Sequence, residues 1–264
     1  MNFIKFIQAT ILKFNKNHFI FEELVKRDFK QKYKRTVLGM LWSLLSPMLT
    51  LLVMKTVFTQ FFGRHMPHYT TYIFSGTIIY NYYREATSGG MNALMSNAGI
   101  LTKVNVPKYL FVLSKNVSAA FNYSLTLIIY FLFAALDHVP FRWSFLLLIY
   151  PICCLIVFNI GFGMILSALF VFFRDIQYLH DIFSLMLMYL SAIFYYIDQF
   201  PQNIQNLFML NPLYCYISYF RTIVIDGTIP TLNHHLLALL YAVLFLFAGG
   251  MIYHKKNQQF LYYM

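Results

Sequence analysis

Apolar residues run along this chain in blocks of about twenty, parted by short polar or charged stretches. Residues 36–54 contain no charged side chain and hold Gly39, Trp42 and Pro47. A helix of about that length crosses a bilayer, so the block predicts a first span. A second, more polar span covers about 69–83 and stops at Arg84-Glu85; Gly76 and Asn81 within it predict contact with protein rather than lipid. Further spans are predicted over about 110–136, 143–173, 182–197 and 236–253, the fourth span, 143–173, long enough to tilt or overrun the bilayer. Ahead of the first span, Phe21, Leu24, Val25, Phe29 and Tyr33 fall at helical spacing. Glu22/Lys26, Glu23/Arg27 and Asp28/Lys32 add acid-before-base pairs four residues apart. This pattern predicts an amphipathic helix lying in the membrane interface, with a solvated basic arm on anionic lipid as the alternative.

Two stretches fit neither pattern. Residues 86–109 are rich in Ser, Thr, Gly and Asn and then carry Lys103 and Lys108, which predicts a structured aqueous loop. Residues 199–232 are apolar but cut by Pro201, Pro212, Gly227 and Pro230 into pieces too short to span. Proline withholds a backbone donor and disfavours helix at the residue before it, so two short helices broken at Asn211-Pro212 are expected. The expected fold is all-α: a polytopic membrane helical bundle of six transmembrane helices. An N-terminal amphipathic interface region, 1–35, precedes the membrane domain, 36–264. An outer re-entrant helical hairpin is expected between helices five and six.

Composition sharpens this reading. Hydrophobic residues make up 59% and charged residues only 11% of the chain, against about 25% charged in a soluble domain. A net charge of +11 would suggest nucleic acid in a soluble protein, but here the positive-inside rule accounts for it. Sixteen of the twenty Lys and Arg residues fall on one side of a six-span chain: nine in the N-terminal arm, then Arg84, Lys103, Lys108, Lys115, Arg174, Lys255 and Lys256. Arg64, Arg142 and Arg221 fall on the other side, and Lys55 within the first span. Both termini are therefore expected in the cytoplasm, in a multi-pass protein of a bacterial cytoplasmic membrane. The first 35 residues are too charged to read as a cleavable signal peptide. Cys153, Cys154 and Cys215 have no metal or redox spacing.

The sequence carries no catalytic motif: no GxxxxGK[ST], HExxH or GxSxG, and no His/Cys cluster for a metal. His234-His235 reads as a non-catalytic interfacial pair, and Asp198 and Asp226 as loop carboxylates. Lys55 either snorkels to the outer interface or presents a cation to a pore. Tyr72, Tyr80, Tyr82, Tyr83, Tyr189, Phe194, Tyr195 and Tyr196 cluster at span ends, as an interfacial belt does. Aromatic rings beside hydroxyls are also what a sugar-stacking surface needs.

Arg27-Asp28, Tyr33, Leu38-Gly39, Trp42 and Pro47 resemble the opening of the polysaccharide-exporting permeases of type-2 ABC transporters, the family that moves O-antigen, capsule and teichoic-acid chains. Asn97, Leu101, Lys103, Val104 and Pro107 look like its loop after span two. Phe173-Arg174-Asp175 looks like its close of span four, and Asn211-Pro212, Arg221 and Gly227 like its outer hairpin. The resemblance implies a homodimeric type-2 ABC transmembrane domain working with two copies of a separate ABC ATPase. That ATPase would bind the ATP, and this chain would hold no cofactor. The cargo implied is a lipid-linked glycan; export of a drug or lipid by a type-2 permease is the alternative. A membrane acyl- or glycosyltransferase would need a carboxylate, His or metal constellation that the sequence lacks. Arg27, Asp28, Asn97, Leu101, Lys103, Val104, Pro107, Arg174 and Asp175 would couple to the ATPase. Asn211, Pro212 and Arg221 would form an outer gate. A channel wall would draw on Lys55, Tyr72, Asn81, Tyr83, Tyr189, Phe194 and Tyr195, with span two (Thr70, Thr71, Ser75, Thr77) as its polar face.

Overall fold

The structure, a computed structural model, describes residues 16–34, 36–62, 67–197 and 199–263. All regular elements among them are helical. Helix α1 (His18–Tyr33) leads through a 3-10 turn to α2 (Trp42–Phe62) and α3 (Tyr69–Asn92). A short α4 (Ala98–Leu101) precedes α5 (Tyr109–Leu136). A 3-10 segment, Trp143–Leu148, runs into α6 (Ile149–Phe172), followed by α7 (Ile176–Leu190), α8 (Gln202–Phe208) and α9 (Pro212–Arg221). A π turn, Thr222–Asp226, then leads to α10 (Leu232–Lys256) and a last 3-10 turn, Gln259–Tyr262.

Among the described residues, four stretches are long and apolar enough to cross a membrane: Gly39–Val57, Tyr109–Leu136, Trp143–Phe172 and Leu232–Lys256. Helix α3 is long but polar, and the reason is its position. Eighteen of its 24 residues are buried, because α5 and α6 pack along it and α9 covers its start. A helix surrounded by protein can keep Thr, Ser and Tyr side chains that lipid would penalise. Helix α7 has only 15 residues, about 22 Å of helix against a hydrocarbon core of about 30 Å.

Boundaries shift accordingly. The second predicted span does not stop at Arg84-Glu85 but continues as helix to Asn92, so the aqueous loop begins later and contains α4. The fifth begins six residues early, at Ile176, and ends at Leu190; residues 191–197, expected to be helical, are not. The break at Asn211-Pro212 lies where the sequence places it. Asn211 caps α9 by accepting the Leu213 N–H through its side chain at 3.0 Å, and Pro212 takes the first helical position, where its missing donor costs nothing.

The tightest helix crossing was not apparent from the apolar pattern. Helices α6 and α10 approach so closely at Gly161 that a Cβ there would collide with the backbone of Phe245 and Leu246. One on Gly249 would stand 2.6 Å from the Gly161 carbonyl. Small residues that let backbones touch are the usual means of helix association in lipid, where apolar side chains gain little by leaving the bilayer.

Candidate functional site

The two ends of α3 hold different structures. Near its start, residues 191–195 leave the helix while much of the backbone stays buried, with Ala192 at φ +49°. Non-helical backbone at such depth persists only when its carbonyls find donors, and side chains from three other places supply them. The Asn211 amide donates to the Leu190 carbonyl at 3.1 Å and to Ser191 Oγ at 2.9 Å. The Tyr72 hydroxyl donates to the carbonyls of Ala192 (3.2 Å) and Tyr195 (2.8 Å), and the Tyr69 hydroxyl to that of Phe194 (3.0 Å). Arg221 completes the set. Its Nη1 donates to Ala192 O at 2.9 Å, its Nη2 to Tyr72 O at 3.1 Å and Ile193 O at 3.3 Å, and its Nε to Ser75 Oγ at 3.1 Å.

The guanidinium also lies 3.4 Å over the Tyr72 ring, which in turn stacks on Tyr196 at 4.0 Å. A desolvated cation at this position needs a carboxylate or carbonyls around it. Carbonyls and a hydroxyl hold it; among the described residues no carboxylate pairs with it. Asp226 instead offers its carbonyl to Arg142 at 3.2 Å, and Asp198 lies outside the described residues. Gly76 makes room: a Cβ there would stand 3.0 Å from Arg221 Nη2 and 3.2 Å from Ile193.

At the other end of α3, α1 is anchored through its charges. Asp28 is buried and receives Arg27 at 2.8 Å, Lys115 of α5 at 3.0 Å and the Ser114 hydroxyl at 3.2 Å. Lys32 pairs with Glu85 of α3 at 2.7 Å, and Glu85 accepts from the Asn122 amide at 2.7 Å. Of the expected pairs within the helix, Lys26 reaches Glu22 at 4.0 Å, but its closer partner is Glu23 at 3.0 Å. Arg27 turns to its neighbour Asp28, while Asp28 and Lys32 tie α1 to the bundle through Lys115 and Glu85. Beneath α1, Leu24 packs in one cluster with Leu101, Val106 and Phe111, joined by Val171 of α6 and Phe260 of the last turn. Lys108 donates to the Asn257 carbonyl and Oδ1, and burial lowers its pKa from the ordinary lysine value. A cleft of about 1060 Å³ opens beside α1, lined by Lys26, Arg27, Asp28, Lys34, Asn97 and Lys115 among others.

The residues singled out from sequence divide between these ends. Arg27, Asp28, Asn97, Leu101, Lys103, Val104, Pro107, Arg174 and Asp175 all belong to the α1 end. Lys103, Val104, Arg174 and Asp175 are exposed there, whereas Leu101 and Asn97 are buried. Asn211, Pro212 and Arg221 belong to the other end, where they support the 190–195 backbone. Of the residues expected on a channel wall, Lys55, Asn81 and Tyr189 are exposed and Phe194 and Tyr195 half-buried. Tyr72 and Tyr83 are instead buried inside the protomer, as are Thr70, Thr71, Ser75 and Thr77. The Tyr83 ring packs on Phe158 and Phe162. His234 contacts the Cys215 carbonyl and His235 the Tyr219 hydroxyl. Among the described residues no group of His, Cys, Asp and Glu could hold a metal ion. Sequence reasoning passed over Glu85, Asn122 and Tyr69, whose partners Lys32, Glu85 and Phe194 lie 53, 37 and 125 residues away along the chain.

The arrangement is that of a helical membrane protein: a buried polar helix at its centre, a basic assembly at one end and a side-chain-capped break at the other. Residues 21–225 match the profile of the ABC-2 type transporter family, and the chain belongs to that family. It is 25% identical to an O-antigen export system permease protein RfbA of Klebsiella pneumoniae, over 94% of this chain and 97% of the relative. It is 24% identical to the RfbA protein of Myxococcus xanthus, over 90% and 92%. To the polysialic acid transport protein KpsM of Escherichia coli it is 22% identical, over 91% and 94%.

Proposed function

We propose that this chain is the transmembrane permease subunit of an ATP-driven exporter that moves a lipid-linked polysaccharide of O-antigen, capsule or teichoic-acid type outward across a bacterial cytoplasmic membrane. The observation that carries the proposal is the near full-length match to relatives named for O-antigen and polysialic acid transport. In this reading α2, α3, α5, α6, α7 and α10 are six spans, and both termini are cytoplasmic, in keeping with the basic α1 end. Helices α8 and α9 form the outer re-entrant hairpin, with Asn211, Pro212 and Arg221 at its gate. Two copies meet along α2 and α7, whose apolar faces are the least covered in the protomer, with Lys55 and Tyr189 turned to the channel between them. ATP is hydrolysed by two copies of a separate ABC ATPase.

The ATPase is proposed to dock on α1, the 93–108 connection and the Arg174-Asp175 turn, where exposed Lys103 and Val104 offer contacts on top of a packed base. Deleting the gene in its own host should leave the glycan inside the cell. Restoring this chain together with its ATPase should return the glycan to the surface, and restoring either alone should not. Surface glycan that persists after deletion overturns the proposal. Val104→Asp should release the ATPase from the purified complex while the permease stays folded. Leu101→Asp would unfold the base on which α1 rests, so it cannot serve as the docking test.

A further inference from the structure

A second cavity, of about 430 Å³, lies between α2, α3 and α5, with Lys32 and Trp42 at one side of it. Three helices turn the same register towards it. Helix α2 contributes Ser43, Ser46, Pro47 and Thr50, at positions i, i+3, i+4 and i+7. Helix α3 contributes Ile78, Asn81, Tyr82 and Glu85 at that spacing, and α5 contributes Ala119, Asn122, Tyr123 and Thr126. Such spacing is one face of a helix. Three largely polar faces thus converge on one space, in a chain whose α2 otherwise displays Leu44, Met48, Leu49, Leu52 and Val53 outward.

The lining argues for the ligand. Hydroxyls and amides in a bilayer repel an acyl chain. A phosphate would want an unpaired cation, but Lys32 is already matched by Glu85 at 2.7 Å. Amide and carboxylate groups that take and give several hydrogen bonds, set beside aromatic faces, suit a sugar ring: its hydroxyls meet the polar groups and its C–H face meets the ring. Glu85 and Asn122 stand together, and Tyr82 and Tyr123 stack at 4.7 Å. Among the described residues the buried Tyr123 hydroxyl has no hydrogen-bond partner, a cost of about 1–3 kcal/mol that a ligand hydroxyl reaching it from the pocket would relieve. The volume lies within the range of small-molecule pockets.

We propose that the pocket between α2, α3 and α5 binds sugar rings of the exported chain, with Glu85, Asn122 and Tyr123 as its hydrogen-bonding groups and Trp42 and Tyr82 as its apolar walls. The proposal rests on the polysaccharide reading above and goes beyond it by giving the cargo a place in each protomer. The Lys32–Glu85 pair lies where the pocket meets the basic cleft, since Lys32 lines both. Cargo arriving from the α1 end would therefore meet this pair first.

The test uses the intact exporter in its own glycan-producing cells. A photoreactive benzoylphenylalanine is placed at Thr50 or Thr126, inside the pocket, and at Leu132, exposed on the same helix as Thr126. Illumination should give a glycan-positive adduct from Thr50 and Thr126 that vanishes when glycan synthesis is blocked, and none from Leu132. Asn122→Ala should cut that adduct about tenfold, as losing one good hydrogen bond does, and Tyr123→Phe severalfold, both with normal amounts of permease in the membrane. Should Asn122→Ala reduce membrane levels, the conservative Tyr123→Phe decides alone. Adducts carrying only phospholipid, or only a second copy of the chain, overturn the proposal, as does a glycan adduct unchanged in both variants. If deletion of the gene abolishes export and a probe at Tyr189 captures glycan while Thr50 and Thr126 do not, the pocket fails and the exporter reading stands. If export survives deletion, the exporter reading itself has failed.

Discussion

Helices α2 and α3 lie side by side and invert each other. By hydropathy α2 belongs to a membrane span and α3 does not, yet only 11% of the α2 span is buried in the protomer, against eighteen of the 24 residues of α3. The difference teaches what polarity is for in this bundle. Two hydroxyls near the start of α3 are spent on backbone that has left its own helix, where Tyr69 and Tyr72 cap residues 192–195, and Ser75 receives Arg221. Helix α2 has no such duty. Over its first half the outward residues Leu44, Met48, Leu49, Leu52 and Val53 are apolar, and Ser43, Ser46 and Thr50 gather on the stripe that faces α3 and α5; Lys55 and Thr56 follow as exposed polar residues.

The hardest way to break the comparison is to remove the guanidinium that α3 helps to hold. Arg221→Met keeps much of the side-chain volume but leaves the Ile193 carbonyl without its side-chain donor, and Ser75 and Ala192 each short of one bond. A loss of about 3 kcal/mol in unfolding free energy is expected, the scale of buried polar groups left unmatched. Thermal unfolding in detergent measures it. Stability equal to wild type would mean that the segment finds other donors and that the Arg221 contacts are incidental. Arg221→Lys should recover only part of the loss, since an ammonium cannot reach four acceptors in a planar fork.

Gly161→Ala tests the next layer, the α6–α10 crossing on the far side of α3. The added methyl meets the backbone of Phe245 and Leu246, so the helices must part, at a cost of about 2 kcal/mol for overpacking. Gly76→Ala should cost less, about 1 kcal/mol, because its nearest neighbours at 3.0 and 3.2 Å are side-chain atoms that can yield. If Gly76→Ala proved the more damaging of the two, the Arg221 site would be more rigid than the glycine crossing, reversing the expected order.

These sites also mark how far the sequence could be read. The break at Asn211-Pro212 was legible because it is local: proline acts on its own backbone. The α1 helix was legible from spacing, but not its anchoring, because Arg27, Asp28 and Lys32 had nearer partners in sequence than the Lys115 and Glu85 that tie α1 down. Arg221 was recognisable as a cation needing acceptors, yet nothing local says that they are carbonyls of a segment 28 and 29 residues upstream. The fifth span was misplaced because residues 191–197 are apolar enough to read as helix. What unwinds them is a supply of donors from α3 and α9. Tyr72 and Tyr83 belong to the same lesson, since the tyrosines of a buried helix look in sequence like those of an interfacial belt.

The mildest change sharpens the comparison most. Leu49 of α2 is exposed in the protomer, so Leu49→Ala removes side-chain volume from the outer face of the helix rather than from the core. In water such a leucine would still favour burial, but in a bilayer lipid and protein are about equally apolar, and only packing distinguishes them. The unfolding free energy of the protomer should change by less than about 0.5 kcal/mol, as for other substitutions away from packed sites. Self-association is a separate matter. If α2 meets a second copy in the assembled exporter, the same substitution should weaken the dimer in detergent while leaving protomer stability as it was. Cross-linking of purified permease over a dilution series reads the first quantity and thermal unfolding of dilute protein the second. A protomer destabilised as strongly as by Gly161→Ala would show that α2 packs within its own chain after all, and the contrast with α3 would lose its basis.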